Sequence, residues 1–363
     1  MSGRQEFIVP DGRYSREQFQ RCLIEGHDQL FLPSTKHKWI KIHSVRTEPI
    51  KWKELLRPYL KRELGDIWHI QLPISSDPSE NVNFYIDNYS PELLLFYSCS
   101  TNWEYARSLQ KFIEETKGLG QMWIGPNKFE DLILDFIDKY HPTVERFFAR
   151  RKAGDSLPTA AGRDVSRRVD WSSNDGGETI WELKETYGLR PKGVRMRLSE
   201  GQVQLNNNGM FVLTRINPKM FEAFQSVMDF VEDEESTITT SSQRVRLGFE
   251  QLGDQGRITL PIMTSGSIHL RQARLHSALV DRIRDDQRFE FTVSVAAEGS
   301  FSWIAEVVDR QKSSIFGISS DEQIINLIPR FNVTFESFLD FYHQILERVD
   351  SSATFNTLGA VIG

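Results

Sequence analysis

The sequence has few cysteines and no long apolar run. Of 363 residues only Cys22 and Cys99 are cysteine, too few for a disulfide framework or a cysteine-based zinc site. The longest apolar runs, such as Leu-Leu-Leu-Phe-Tyr at 93–97, fall far short of the roughly 20 residues that a membrane-spanning helix needs. The first residues, Met-Ser-Gly-Arg-Gln-Glu, contain no apolar signal segment. We therefore expect a cytoplasmic protein without a membrane partner.

The composition is that of a globular protein, with 39% hydrophobic and 26% charged residues. These fractions exclude a wholly disordered, collagenous or coiled-coil chain, and the length predicts two domains. We expect an N-terminal α/β domain at 1–149, a basic linker at 150–168, and a C-terminal α+β domain at 169–363. The predicted fold class is α/β or α+β, with two layered sheet-and-helix domains of which the second is strand-rich.

Local patterns support this layered architecture. The continuous apolar run at 93–97 is typical of a buried central strand. A strand followed by an amphipathic helix recurs at 122–137, 210–231 and 324–346, with phenylalanines on the helix face that is expected to be buried. Proline 58 should divide the helical pattern between residues 50 and 64. These patterns predict alternating strands and helices and say nothing about chemistry.

The net charge of −6 conceals an uneven distribution. Residues 36–62 carry +7, residues 146–169 carry +5, and the remainder of the chain carries −18. Such segregation can direct a polyanion toward one surface, although a solvated basic surface is the simpler interpretation. The candidate nucleic-acid contacts are Lys36, Lys38, Lys41, Arg46, Lys51, Lys53, Lys61, Arg62, Arg150, Arg151 and Lys152.

Two tryptophans lie within the first basic segment. Trp39 and Trp52 alternate there with lysines and arginines, a combination that holds single-stranded nucleic acid by stacking and phosphate contacts. The helical spacing of Trp52 with Leu55 and Leu56 predicts that Trp52 points into the core. A duplex could still be bound by the lysines alone.

Common catalytic motifs are incomplete. The segment Gly188–Gly193 begins like a phosphate-binding loop, but Val194 stands where that loop requires lysine. The eight histidines form no His-x-x-x-His pair, and no Gly-x-Ser-x-Gly sequence is present. The sequence therefore offers no established active-site pattern of these kinds.

One further pattern involves the turn sequence Asn-Asp-Gly-Gly at 174–177. It lies between two segments that we expect to form a β-hairpin. An aspartate followed after a turn by Glu-x-Lys resembles the metal-dependent PD-(D/E)xK nucleases. That resemblance implies that Asp170 and Glu182 are ligands of Mg²⁺ or Mn²⁺ and that Lys184 activates the attacking water. Only a three-residue hairpin loop would pair Asp170 with Glu182; a two-residue loop would leave an ordinary amphipathic hairpin.

Our first functional hypothesis is a non-catalytic binding subunit of a larger intracellular assembly. It would dock a protein partner, with nucleic acid as a further candidate ligand, and no cofactor is expected. The alternative is a PD-(D/E)xK-type nuclease acting on DNA or RNA with Mg²⁺ or Mn²⁺. A small-molecule sensor is a third option.

Overall fold

The fold is described from a computed structural model. The structure describes residues 7–32, 38–47, 52–75, 77–153, 160, 162–199, 201–214, 218–233, 266–271, 276–284, 288–296, 303–331, 333 and 335–357. Lys36 and Lys51, two of the candidate nucleic-acid contacts, lie outside these residues. None of the described helices is both long and apolar enough to cross a membrane.

The described chain contains both helices and strands, and several strands follow one another directly. The helices are α1 (Arg16–Glu25), α2 (His27–Leu30), α3 (Trp52–Leu56), α4 (Asn102–Arg107), α5 (Leu109–Glu115), α6 (Pro126–Tyr140), α7 (Gly176–Tyr187), α8 (218–233), α9 (His276–Arg284) and α10 (Phe335–Arg348), and a 3₁₀ helix spans Arg57–Tyr59. The strands are β1 (Trp39–Thr47), β2 (Leu60–Leu64), β3 (Ile67–Ile74), β4 (Asp77–Ser90), β5 (Leu93–Ser98), β6 (Leu119–Gln121), β7 (Thr143–Arg151), β8 (Arg167–Ser172), β9 (Arg190–Leu198), β10 (Gly201–Asn206), β11 (Met210–Thr214), β12 (Gly266–His269), β13 (Phe289–Ala296), β14 (Trp303–Asp309), β15 (Ser314–Asp321), β16 (Ile324–Phe331) and β17 (Thr354–Thr357).

The first sheet has eleven strands in the order β2-β3-β4-β5-β1-β11-β10-β9-β7-β8, and β6 pairs with β1. Every residue of β5 is buried, which confirms the buried central strand predicted from its continuous apolar run. The helical pattern between residues 50 and 64 is divided at Pro58, where the 3₁₀ helix leads into β2. Strand β1 lies in the middle, between β5 and β11.

Helices cover the two faces of this sheet to different extents. On one face, Trp52 of α3 and Tyr105 of α4 pack in one buried cluster with Val45 of β1. On the other face, the Phe224 ring of α8 lies 6.3 Å from the Phe211 ring of β11. Helix α6 lies beside α8, since Lys139 Nζ donates to Ser226 Oγ at 3.0 Å. Thus α6 and α8 cover the face opposite to α3 and α4.

The second sheet has six strands in the order β13-β14-β15-β16-β12-β17. Phe316 of β15 packs against Phe338 and Phe341 of α10, with ring centroids 5.3 and 5.4 Å apart. Arg288 donates to the buried Asp309 carboxylate at 3.0 and 2.8 Å. Two sheets with associated helices, the second part being strand-rich, confirm the predicted fold class.

The division into compact units differs from the expected domain boundaries. The first unit contains Met1–Arg150, Arg168–Glu185 and Leu189–Glu235, and the second contains Arg151–Arg167, Thr186–Gly188 and Ser236–Gly363. Most of the chain between 169 and 235 therefore belongs with the N-terminal part, because β9, β10 and β11 pair into the sheet of β1. The basic segment at 150–168 connects two neighbouring strands, β7 and β8, of that same sheet.

The predicted hairpin around residues 174–177 is wrong. Asp170 lies on β8, but Glu182 and Lys184 lie on helix α7, which begins at Gly176. The Asp175 carbonyl accepts from the amides of Glu178 and Thr179, both at 3.2 Å, so the turn sequence starts a helix. Ile180, Leu183 and Tyr187 recur at helical spacing, and this signal outweighs the hairpin signal of Asp-Gly.

Candidate functional site

The face of the first sheet that carries Trp39 and Lys41 is open beyond β1, and we call this surface the open face. Strand pairing sets Lys41 beside Val212, Val212 beside Gln204, Gln204 beside Arg195, and Arg195 beside Arg146. Side chains alternate between the two faces of a strand, so these five residues form one row across β1, β11, β10, β9 and β7. Paired side chains stand about 5 Å apart, so the row sets Gln204, Arg195 and Arg146 side by side, with the buried Val212 between them and Lys41.

Two depressions open on this face and share Trp39. One, of about 390 Å³, is lined by Lys41, Arg146, Arg195 and Asn206 among others. The other, of about 520 Å³, extends from Trp39 toward the end of β9 at Arg197. A surface with shallow depressions over several strands suits an extended ligand.

Trp39 lies half-buried at the junction of these depressions. The Arg195 guanidinium carbon lies 5.6 Å from the centre of a Trp39 ring, within the range of a cation–π contact. Arg195 also donates to Gln204 Oε1 at 3.1 Å. Among the described residues, no carboxylate forms an ion pair with Arg195. Arg195 thus places a positive charge on the open face without a direct ion pair, although this charge helps to lower the pKa of Asp170.

Strand β10 contributes only amides to the open face. Gln202, Gln204 and Asn206 alternate with the buried Val203 and Leu205. Gln204 donates to Asn206 Oδ1 at 3.1 Å, and Gln202 donates to a Glu145 carboxylate oxygen at 2.8 Å. We call these three residues the amide strip. Each amide is both a donor and an acceptor, so the strip can contact neutral polar groups.

Lys41 lines the smaller depression and is largely buried. Its ammonium donates to Asn102 Oδ1 at 2.8 Å, at the start of α4. Burial lowers the pKa of Lys41, and the nearby Glu104 charge opposes this effect. The lysine therefore supplies a positive group held in a fixed position by α4.

The opposite side of the open face carries a second set of cations. Arg146 donates to both oxygens of Asp170, at 2.8 and 2.6 Å, and this contact lowers the pKa of Asp170. The Arg168 guanidinium lies over the Phe148 ring at 4.8 Å. Arg197 is more than half exposed and lies 3.1 Å from Glu145. Arginines of β7, β8 and β9 thus flank the amide strip on one side.

The open face carries a net positive charge. Its cations are Lys38, Lys41, Arg146, Arg168, Arg195 and Arg197, and its anions are Asp28, Glu145 and Asp170. Both basic sequence segments contribute, although more than 80 residues separate them along the chain. Antiparallel pairing through β11, β10 and β9 brings them to one surface.

Two of the candidate nucleic-acid contacts, Lys38 and Lys41, belong to the open face, and Arg150 is exposed near the end of β7 in register with Arg190. The others that the structure describes lie elsewhere. Lys53 lies over the buried Trp52 and Trp68 rings, and Lys61 is exposed on β2. Arg62 contacts Asp11 and His69. Arg46 is buried, Arg151 is buried 3.5 Å from Asp164, and Lys152 is half-buried just after β7.

The structure does not bring the three candidate nuclease residues together. Asp170 lies on the open face and accepts a hydrogen bond from Arg146. Lys184 donates at 2.6 Å to Glu130 of α6, the helix that covers the opposite side of the sheet, and Glu182 is exposed on α7. Among the described residues, no group of three or more His, Cys, Asp or Glu side chains could hold a metal ion.

Sequence reasoning overlooked the centre of the open face. Arg195 and Arg197 alternate with Val194 and Met196, and the amide strip alternates with apolar residues in the same way. This alternation indicates strands with one wet face. From this alternation, β9 and β10 could have been identified as strands with polar side chains on one face. It does not reveal that these faces belong to one surface.

Comparison with known proteins adds no assignment. No protein-family model matches the chain, and no curated protein is significantly similar to it.

Proposed function

We propose that the chain is a non-catalytic, cytoplasmic binding subunit of a larger assembly, and that its open face binds nucleic acid. The observation that carries this proposal is the row of Lys41, Gln204, Arg195 and Arg146 on β1, β10, β9 and β7, flanked by further arginines. Phosphate contacts from Lys and Arg dominate the affinity of nucleic-acid-binding proteins. The six neighbouring strands β1, β11, β10, β9, β7 and β8 together span about 24 Å at the usual strand spacing. This width suits an extended polyanion.

The position of the ion pairs favours a binding role over a purely structural one. Three of the six cations, Arg146, Arg197 and Lys38, have a carboxylate partner on the face. Arg195 instead lies against Trp39 and Gln204. Arranging cations without matched anions on one sheet face costs electrostatic free energy. An anionic ligand would offset that cost.

The first prediction concerns the double variant Arg195→Gln with Arg168→Gln. We expect its affinity for a labelled oligonucleotide to fall about tenfold or more near 0.1 M salt. The slope of log affinity against log salt should lessen by about 1.4 to 1.8, because two phosphate contacts are lost. Fluorescence anisotropy over a salt series measures both quantities.

The matched control is Lys53→Gln with Lys61→Gln, which removes the same charge from α3 and β2. It should bind like the unaltered protein. Equal losses of oligonucleotide affinity in the two double variants would show that the open face is not the binding surface. If the unaltered protein does not bind the oligonucleotide, the proposal is contradicted.

The docking of a protein partner is the second part of the proposal. The outer surface of α6 and α8 exposes Asp131, Asp135, Asp138, Glu222 and Asp229, on the opposite side of the sheet from the open face. Asp131, Asp135 and Asp138 stand three or four residues apart on α6 and repel each other, so helix stability does not account for these three. Asp229 of α8 accepts a hydrogen bond from the Tyr89 hydroxyl at 3.0 Å. A basic partner surface would complement this acidic layer.

A further inference from the structure

We propose that the open face takes a single strand of nucleic acid rather than a duplex, with its bases against Trp39 and the amide strip. This inference rests on the proposed function and specifies its ligand. The uncharged centre of the face carries it: the residues that β10 presents there are Gln202, Gln204 and Asn206, and those from β11 include Val212 and Thr214.

The amide strip suits base edges better than phosphates. Phosphate oxygens only accept hydrogen bonds and are best met by cations, whereas base edges carry both donors and acceptors. Amides provide both functions in one group. In a duplex the outermost groups are phosphates, and they would meet an uncharged strip at the centre of the face. In a single strand the bases are free to lie there.

The cations stand where the backbone of such a strand would lie. Arg195 and Arg197 of β9 border the strip on one side, and Lys41 of β1 lies on the other. Strands β1 and β9 are three spacings apart, or about 14 Å. If the phosphates of the strand lie along β9, its bases extend across β10 and β11 toward Trp39.

Trp39 offers the stacking surface. It lines both depressions, and the Arg195 guanidinium lies over its ring. Bases of single strands stack on aromatic rings and on arginine planes, which the stacked interior of a duplex does not permit. Binding would exchange the Arg195–Gln204 and Gln204–Asn206 hydrogen bonds, at 3.1 Å each, for contacts with a base.

The experiment compares four labelled 12-mers: single-stranded DNA, single-stranded RNA, the DNA duplex, and an abasic DNA strand with equal phosphates. The unaltered protein should bind either single strand at least about tenfold more tightly than the abasic strand, because stacking is lost. The duplex should also bind more weakly than the single strands. The comparison of DNA with RNA identifies the source of the strand.

The variant arm uses Trp39→Leu and its matched control Trp103→Leu. Trp103 of α4 is 48% exposed, stacks with Arg107 at 4.6 Å, and lines neither depression. Trp39→Leu should lose about tenfold or more in affinity for single strands and little for the abasic strand. Trp103→Leu should change neither. Gln204→Leu retains Trp39 and should also weaken single-strand binding. This variant tests the inference if Trp39→Leu does not fold.

Three results separate the two levels of the proposal. Equal binding of the single strand and the abasic strand overturns the single-strand inference and leaves the cationic face standing. Tighter binding of the duplex does the same. Absence of binding to all four molecules overturns the proposed function and this inference together.

Discussion

His43 shows how a single residue couples the stability of the protein to pH. It lies on β1, is 2% exposed, and stacks on the Tyr105 ring with centroids 4.1 Å apart. Neither of its ring nitrogens has a hydrogen-bond partner among the described residues. Burial, assisted by the nearby Lys41 charge, lowers the pKa of His43 to about 3. The native imidazole therefore stays neutral at physiological pH.

The pH dependence follows from this difference in protonation. In the unfolded chain a histidine takes up a proton below about pH 6.5, but native His43 does not. The stabilisation that the protein gains from keeping His43 neutral and buried is fully present above that pH. It is lost as the pH falls toward 3. Between pH 7.5 and 5.5 the unaltered protein should lose about 1.4 kcal/mol more stability than His43→Phe.

Urea unfolding at the two pH values measures the effect. Seven of the eight tryptophans precede residue 236, so their fluorescence follows mainly the first unit. Tyr105→Phe is the control, because burial raises the pKa of Tyr105 far above this range. The difference in unfolding free energy between this variant and the unaltered protein should therefore be the same at both pH values. Parallel losses in the unaltered protein and His43→Phe would contradict the assignment.

At the level of elements, Glu130 attaches α7 and β9 to α6. It is 5% exposed and receives Lys184 Nζ at 2.6 Å, with Arg190 Nε at 3.6 Å. Arg190 also donates to Asn127 Oδ1 at 2.7 Å. This network explains the position of Lys184 as a structural contact between helices.

We expect Glu130→Gln to destabilise the first unit by about 3 kcal/mol, because it leaves two cations without their buried anion. Lys184→Met should cost less, because Lys184 is partly exposed and Glu130 keeps Arg190. The double variant should show a coupling of about 1 kcal/mol or more in urea unfolding. Additive losses would mean that the Lys184–Glu130 contact contributes no stability of its own.

The elements differ in how far the sequence predicts them. The apolar run of β5 and the amphipathic patterns of α6, α8 and α10 are local signals, and the structure confirms these elements. Helix α7 was misread because Asp175-Gly176 also suits a tight turn, whereas here Asp175 starts a helix. The deciding contact, from Lys184 to Glu130, joins residues 54 positions apart.

The open face was beyond prediction for a related reason. Lys41, Arg146 and Arg195 come from strands that are distant in sequence, and only the order β1-β11-β10-β9-β7 sets them in one row. Alternation indicates which side chains share a face within one strand, but not which strands become neighbours. Charge counting along the chain therefore found part of the site and also selected the buried Arg46 and Arg151.

At the scale of the whole molecule, the first unit separates its charges on two sides of one sheet. The open face is cationic, and the outer surface of α6 and α8 is acidic around Leu134, which is 42% exposed. Along α8 the acidic residues continue to Glu232 and Asp233. An apolar side chain within a charged surface suits a docking site for a basic protein.

If both proposals hold, this arrangement makes the two proposed binding activities separable. In nuclease-treated extract, the tagged full-length chain should elute well above its own mass of 42.1 kDa. Asp131→Lys with Asp135→Lys should return it to that mass while binding to oligonucleotides persists, because the open face is unchanged. Glu54→Lys with Glu63→Lys makes the same charge change on α3 and β2 and should leave the assembly intact. If the unaltered chain elutes alone, or if both doubles dissociate it equally, the acidic layer is not a docking surface.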